Sequence, residues 1–160
     1  AYCSYLDSPE YSLDQTNTTS AIKELQLFID MYPKSDSVLI CNKLIDDLRG
    51  KMEKKDYEIA KLYFKIEQYK AAITAYKNVL KDYPETQYKE EILFEILKAN
   101  YMYAFNSIES KKQERYNSTI EAYNALLVSF PQDKNLKAAE NYRKNAQKEL
   151  GKLSNVTTKQ

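Results

Sequence analysis

No histidine occurs among the 160 residues. That removes imidazole general bases, Ser-His and Cys-His nucleophile systems and His-containing zinc sites. Glycine is nearly absent, with 2 residues, and proline is scarce, with 4. Few turns needing a positive φ are therefore available, and long helices are favoured. The two cysteines, Cys3 and Cys41, have no metal-ligand spacing. Each lies among apolar residues at helical spacing, where a buried free thiol is the ordinary outcome; a disulfide between them stays open. Neither sign of charge dominates: 24 Lys and Arg against 23 Asp and Glu leave +1, so there is no electrostatic bias toward nucleic acid. No apolar run approaches the roughly 18–20 residues of a membrane span, and no signal peptide is legible. Gly-rich phosphate loops and nucleophile contexts are missing as well. Carboxylates such as Asp46, Asp47, Glu90 and Glu91 sit among lysines on polar helix faces. The chain is therefore read as non-enzymatic, with no cofactor and no metal.

What is present is a repeat. In YKAAITAYKNVLKDYPET, residues 69–86, the apolar positions Ile73, Tyr76, Val79, Leu80 and Tyr83 share one side of a helix that Pro84 ends. Ile22, Leu25, Phe28, Ile29 and Tyr32 lead to Pro33 in the same way, and Ile120, Tyr123, Leu126, Leu127 and Phe130 lead to Pro131. Counted back from each proline, positions −11, −8, −5, −4 and −1 are apolar in all three copies. Matching offsets in three places mark a repeat protein.

Taken in order, Ala1–Ser8 reads as the last two turns of a helix, stopped at Ser8-Pro9 and followed by the loop PEYSLDQT. The chain is accordingly expected to be cut inside a repeat, with at least one more repeat upstream. A helix from about Asn17 to Tyr32 follows, with Asn17 or Thr18 as N-cap. Val38, Cys41, Ile45, Leu48, Met52, Ile59, Leu62 or Tyr63, and Ile66 then keep one phase, predicting a single helix of about 30 residues. Gly50 is its weak point, and a break at GKMEKK is the alternative. After Pro84 a long helix is expected from Thr86 to about Lys111, apolar on more than one face as an inner solenoid helix must be. A helix from about Gln113 to Phe130 comes next, then a last one capped by Asp133, with a single apolar stripe and an end at Gly151. The division is an array over 1–150 (1–33, 34–84 and 85–131 as repeats, 132–150 as capping helix), with 151–160 a flexible tail.

The middle unit resembles a tetratricopeptide repeat. Ala60 and Ala72 take the small positions of its two helices, Tyr63 and Tyr76 the aromatic ones, and Pro84 the closing one. The prolines are 84 − 33 = 51 and 131 − 84 = 47 residues apart, more than the 34 of that pattern, and the surplus falls in lengthened first helices. The fold expected is all-α, a right-handed superhelix of tetratricopeptide-like hairpins with elongated A helices. The runs AIKELQLFIDMYPKS, CNKLIDDLRGKMEKKDYEIAKLYFKIEQYKAAI and NVLKDYPETQYKEEILFEILKANY further resemble BamD-type lipoproteins of the outer-membrane β-barrel assembly machinery, over about residues 1–150.

That resemblance implies a non-enzymatic scaffold at the periplasmic face of the outer membrane, tethered by an N-terminal lipid anchor that lies outside this chain. It implies binding to the POTRA domains of a BamA-type insertase, to other components of the BAM machinery, and to segments of unfolded outer-membrane proteins. A basic residue that some members use for the POTRA contact aligns with Ala75 here. Other adaptors of the tetratricopeptide type, serving the cell envelope or division, or a peptide-binding chaperone, are the alternative.

Two surfaces stand out. Lys70, Thr74, Lys77 and Lys81, at steps of 4, 3 and 4, form one outward stripe that is basic only in the middle repeat. It is the candidate partner-binding face, and a solvated helix face is its plain alternative. Tyr57, Lys61, Lys65, Lys98 and Tyr101 are the candidate lining of an inner peptide groove, with repeat packing the plain alternative for the tyrosines.

Overall fold

The computed structural model describes residues 1–132 and 134–157, the last three without their side chains. Every regular element among them is a helix: α1 (Tyr2–Leu6), α2 (Thr16–Met31), α3 (Val38–Lys65), α4 (Tyr69–Asp82), α5 (Lys89–Phe105), α6 (Glu109–Ser129) and α7 (Leu136–Thr157). No helix among them is long and apolar enough to cross a membrane. The chain forms two compact units, Ala1–Glu58 and Ile59–Gln160, and the division falls within α3.

The prolines act as the sequence predicts. Tyr32, Tyr83 and Phe130 each cap the helix before a proline, with φ of −129, −129 and −138° and ψ of 59, 74 and 73°. Proline forces that extended φ on its predecessor and so stops the helix at one repeated place. In each case the cap N–H still bonds the carbonyl four residues back, on Phe28, Val79 and Leu126. Two residues past the proline, Ser35 Oγ accepts the N–H of Ser37 at 3.2 Å and Thr86 Oγ1 accepts that of Tyr88 at 3.1 Å, the same side-chain turn twice. Asp133, expected to cap the last helix from the equivalent position, lies outside the described residues.

In the first unit α2 packs on α3. Ala21, Leu25, Cys41, Ile45 and Leu48 are buried together, with Tyr5, Ile22, Phe28 and Ile29 around them. Cys41 is a buried free thiol, whereas Cys3 is exposed and also free. The cap of α2 is Gln15 and not Asn17 or Thr18. Its buried amide donates to the carbonyls of Glu10 and Leu13 and accepts from Thr18, so the side chain is spent on holding the loop. Lys51 donates to Ser8 Oγ at 2.8 Å, Lys55 to the Leu13 carbonyl, and Lys54 lies 4.2 Å over the Tyr11 ring. The PEYSLDQT loop is thus strapped along α3.

The helix α3 is continuous through Gly50, about 42 Å at 1.5 Å per residue over its 28 residues. It ends in a Schellman turn: Gln68 N–H reaches the Tyr63 carbonyl and Glu67 N–H that of Phe64. Glu67 sits at φ 62°, the left-handed position that usually falls to glycine.

In the second unit α5 touches α4, α6 and α7, and α6 touches α7. Ile92, Ile96, Leu97, Ala99, Asn100 and Ala104 are buried on several sides of α5, as a helix wedged between hairpins requires. Leu97, Leu126 and Ala139 form one core layer, and Ala104, Tyr116 and Ala146 a second. Position −12 from each proline, Ala21, Ala72 and Thr119, is fully buried in all three copies, so the helices approach closely there.

Three boundaries differ from expectation: the end of α5, the start of α6, which is Glu109 and not about Gln113, and the end of α7. The helix after Pro84 stops at Phe105 and not near Lys111, because Asn106 and Ser107 turn the chain; Ser107 Oγ donates to the Tyr103 carbonyl and takes a bond from Arg115. The last helix does not end at Gly151 but runs on to Thr157, since a lone glycine costs a helix only about 1 kcal/mol. Residues 158–160 of the expected tail lie outside the described residues.

Candidate partner-binding surface

The helix α4 divides into two faces. Tyr69, Ala72, Tyr76 and Val79 are buried. Lys70, Thr74, Lys77 and Lys81 are exposed, as the stripe read from the sequence requires. Thr74 gives its hydroxyl to the Lys70 carbonyl, which leaves the lysine ammonium groups as the polar offering of that face.

The stripe borders two open hollows between α4 and α6, both floored by α5. One, of about 290 Å³, is lined by Lys70, Ile73, Thr74, Asn100, Tyr103, Lys111, Glu114, Arg115 and Ser118. The other, of about 310 Å³, is lined by Lys77, Leu80, Leu93, Ile96, Asn100, Ser118, Glu121, Ala122 and Ala125. Asn100 and Ser118 belong to both, which makes them one trough. The buried Asn100 is fixed by donating to the Ile96 carbonyl at 2.8 Å. On its other flank α4 meets a shallow hollow with Tyr63, Ala71, Thr74, Ala75 and Asn78 in its lining.

The sequence did not single out Lys111 and Arg115 for this face. Reading α5 through to Lys111 assigned that lysine to the wrong helix. The Asn-Ser turn, with no glycine or proline, left little trace.

The five residues expected to line an inner groove do not offer one surface. Tyr57 is buried, at 3% exposure, and presents no face to a ligand. Lys61 and Lys65 are exposed on the last turns of α3. Lys98 is engaged, 5.0 Å from the Phe64 ring and 5.6 Å from Phe94, and paired to Glu95 at 2.7 Å. Tyr101 stands among rings, 5.2 Å from Tyr142, 6.0 Å from Tyr116 and 6.4 Å from Phe105. Burial raises its pKa, and the same cause, reinforced by Tyr101 and Glu149, pushes Tyr116 up to about 12. These tyrosines hold hairpins together.

Next to them Glu140 takes a two-pronged bond from Arg143, whose guanidinium also lies 5.4 Å from the Tyr123 ring. Hydrogen bonds from Arg143 first and Tyr123 second pull the Glu140 carboxyl down to about 2.

A recurring proline cap at the end of a helix, with a buried position twelve residues before it in each copy, defines a helical-repeat protein of the tetratricopeptide type. Residues 2–115 match the outer membrane lipoprotein family YfiO, and the chain belongs to it. It is 26% identical over 134 residues to the outer membrane protein assembly factor BamD of Caulobacter vibrioides, an alignment covering 84% of this chain. The chain spans about two fifths of that curated relative's length, 41%.

Proposed function

We propose that this chain is part of a non-enzymatic scaffold for outer-membrane β-barrel assembly, working at the periplasmic face of the outer membrane. It binds the POTRA domains of a BamA-type insertase through the α4 face that carries Lys70, Thr74, Lys77 and Lys81. In the whole protein a lipid anchor provides the membrane contact, and other BAM components and unfolded outer-membrane protein segments are further partners. Family membership over residues 2–115 carries this reading. The exposure of all four stripe residues on a helix whose opposite face is buried supports the choice of surface.

Long-range attraction between a basic face and an acidic partner raises the association rate and is weakened by salt. The test is co-purification of this chain with the insertase's POTRA domains, wild type against Lys70→Glu/Lys77→Glu. Capture that falls with the double reversal and with added salt supports the stripe. Capture equal to wild type removes it.

A further inference from the structure

The trough between α4 and α6 is chemically two-ended. At one end Leu80, Leu93, Ile96, Ala122 and Ala125 make an apolar hollow, with Lys77 and Glu121 also in its lining. At the other, three cations, Lys70, Lys111 and Arg115, stand against one carboxylate, Glu114, a local balance of 3 − 1 = +2. Lys111 pairs with Glu114 at 3.6 Å, but both side chains are more than half exposed and the pair is weak. Lys70 and Arg115 have no ion-pair partner among the described residues.

Arg115 is held ready. Its guanidinium stacks 3.8 Å from the centre of the Tyr103 ring, and Nη1 donates to Ser107 Oγ, which itself donates to the Tyr103 carbonyl. A stacked, half-buried guanidinium has already given up much of its side-chain freedom, and its remaining N–H groups match a carboxylate edge to edge. A hollow of about 290 Å³ is of side-chain size.

We infer that this trough seats a protein segment presenting an acidic side chain beside an apolar one. The carboxylate bonds Arg115, with Lys70 and Lys111 around it, and the apolar group covers Leu93 and Ile96. The inference rests on the scaffold reading above and says what the partner presents there. It moves the specific contact from α4 alone to a seat shared with α6.

The experiment measures binding of the full chain to a purified POTRA fragment of the insertase by titration. Arg115→Glu is expected to weaken binding roughly thirtyfold or more, as reversing one member of a close charge pair does. Arg115→Lys falls between the two, since a point charge keeps attraction and loses the fork. Lys111→Glu, at an exposed position with no packing role, separates charge from folding and weakens binding as well. Lys148→Glu, exposed on α7 away from the trough, leaves binding unchanged. A Glu→Lys or Asp→Lys change on the POTRA surface that restores Arg115→Glu confirms the pair. Wild-type binding that Arg115→Glu and Lys111→Glu leave intact overturns the trough and spares the scaffold reading. Absence of wild-type binding overturns both.

Discussion

Gly50→Ala provides a sharp test of the architecture. Gly50 lies 50 − 38 = 12 residues from the start of α3, with 15 more after it. It is exposed, its φ is not positive, and a Cβ built on it meets nothing within 4 Å. Adding a methyl group there breaks no contact and closes no gap. What changes is backbone freedom, which glycine loses more of on folding than alanine. Glycine inside a helix is about 0.8–1.0 kcal/mol worse than alanine. The substitution should therefore stabilise the chain by about that amount, seen as a higher urea midpoint at unchanged slope and a melting temperature raised by roughly 2–4 °C for a chain of this size. Gly50→Pro, the opposing control, should cost about 3 kcal/mol or more by removing a helix bond and clashing one turn back. An alanine variant no more stable than wild type would mean that α3 is broken at residue 50 in solution.

Three further outcomes follow from the packing. Glu67→Gly, relieving an L-residue at φ 62°, should gain about 1 kcal/mol in a urea melt while Glu67→Ala gains nothing, because only glycine escapes the Cβ clash. Leu97→Ala, emptying a fully buried site shared with Leu126 and Ala139, should cost about 2–5 kcal/mol, read from the same melts with amide exchange rising in α5, α6 and α7 together. Glu140, ordinarily near 4.5 and held at about 2, contributes stability that is complete above 4.5 and lost as pH falls from there toward 2. Glu140→Gln should lower stability at pH 7 and flatten the acid limb of a pH–stability curve over that window.

Ends marked by proline were legible because the constraint is local: φ of the preceding residue is set whatever packs around it, as at Tyr32, Tyr83 and Phe130. The long α3 was legible because its apolar phase never slips, and one glycine is too small a penalty to undo 28 residues of helix. The turn at Asn106 and Ser107 was not, because Ile108 keeps the apolar rhythm across it and one of the two side-chain bonds that stabilise it joins residues eight apart. Burial within the repeat helices was read slightly off phase. The most enclosed positions are −15 and −12, held by Thr18, Tyr69 and Tyr116 and by Ala21, Ala72 and Thr119. Ala72 was legible as the small position of the repeat, whereas Thr18 and Thr119 were not, because threonine does not announce a core. For the proposed binding face, the α4 stripe needed only helical periodicity, whereas Arg115 and Lys111 line the same trough from a neighbouring helix whose start the sequence misplaced. Tyr57 and Tyr101 show the limit from the other side: a tyrosine that fills a seam and one that greets a ligand have the same letter.

The aromatic seams have an optical corollary. With 15 tyrosines and no tryptophan, and with Tyr76 and Tyr116 sealed from solvent, the chain emits as tyrosine alone. Any tryptophan-bearing protein that seats itself in the trough becomes the acceptor for that excitation. Docking would then announce itself, without a dye, as tyrosine light dimming while the newcomer's indole brightens.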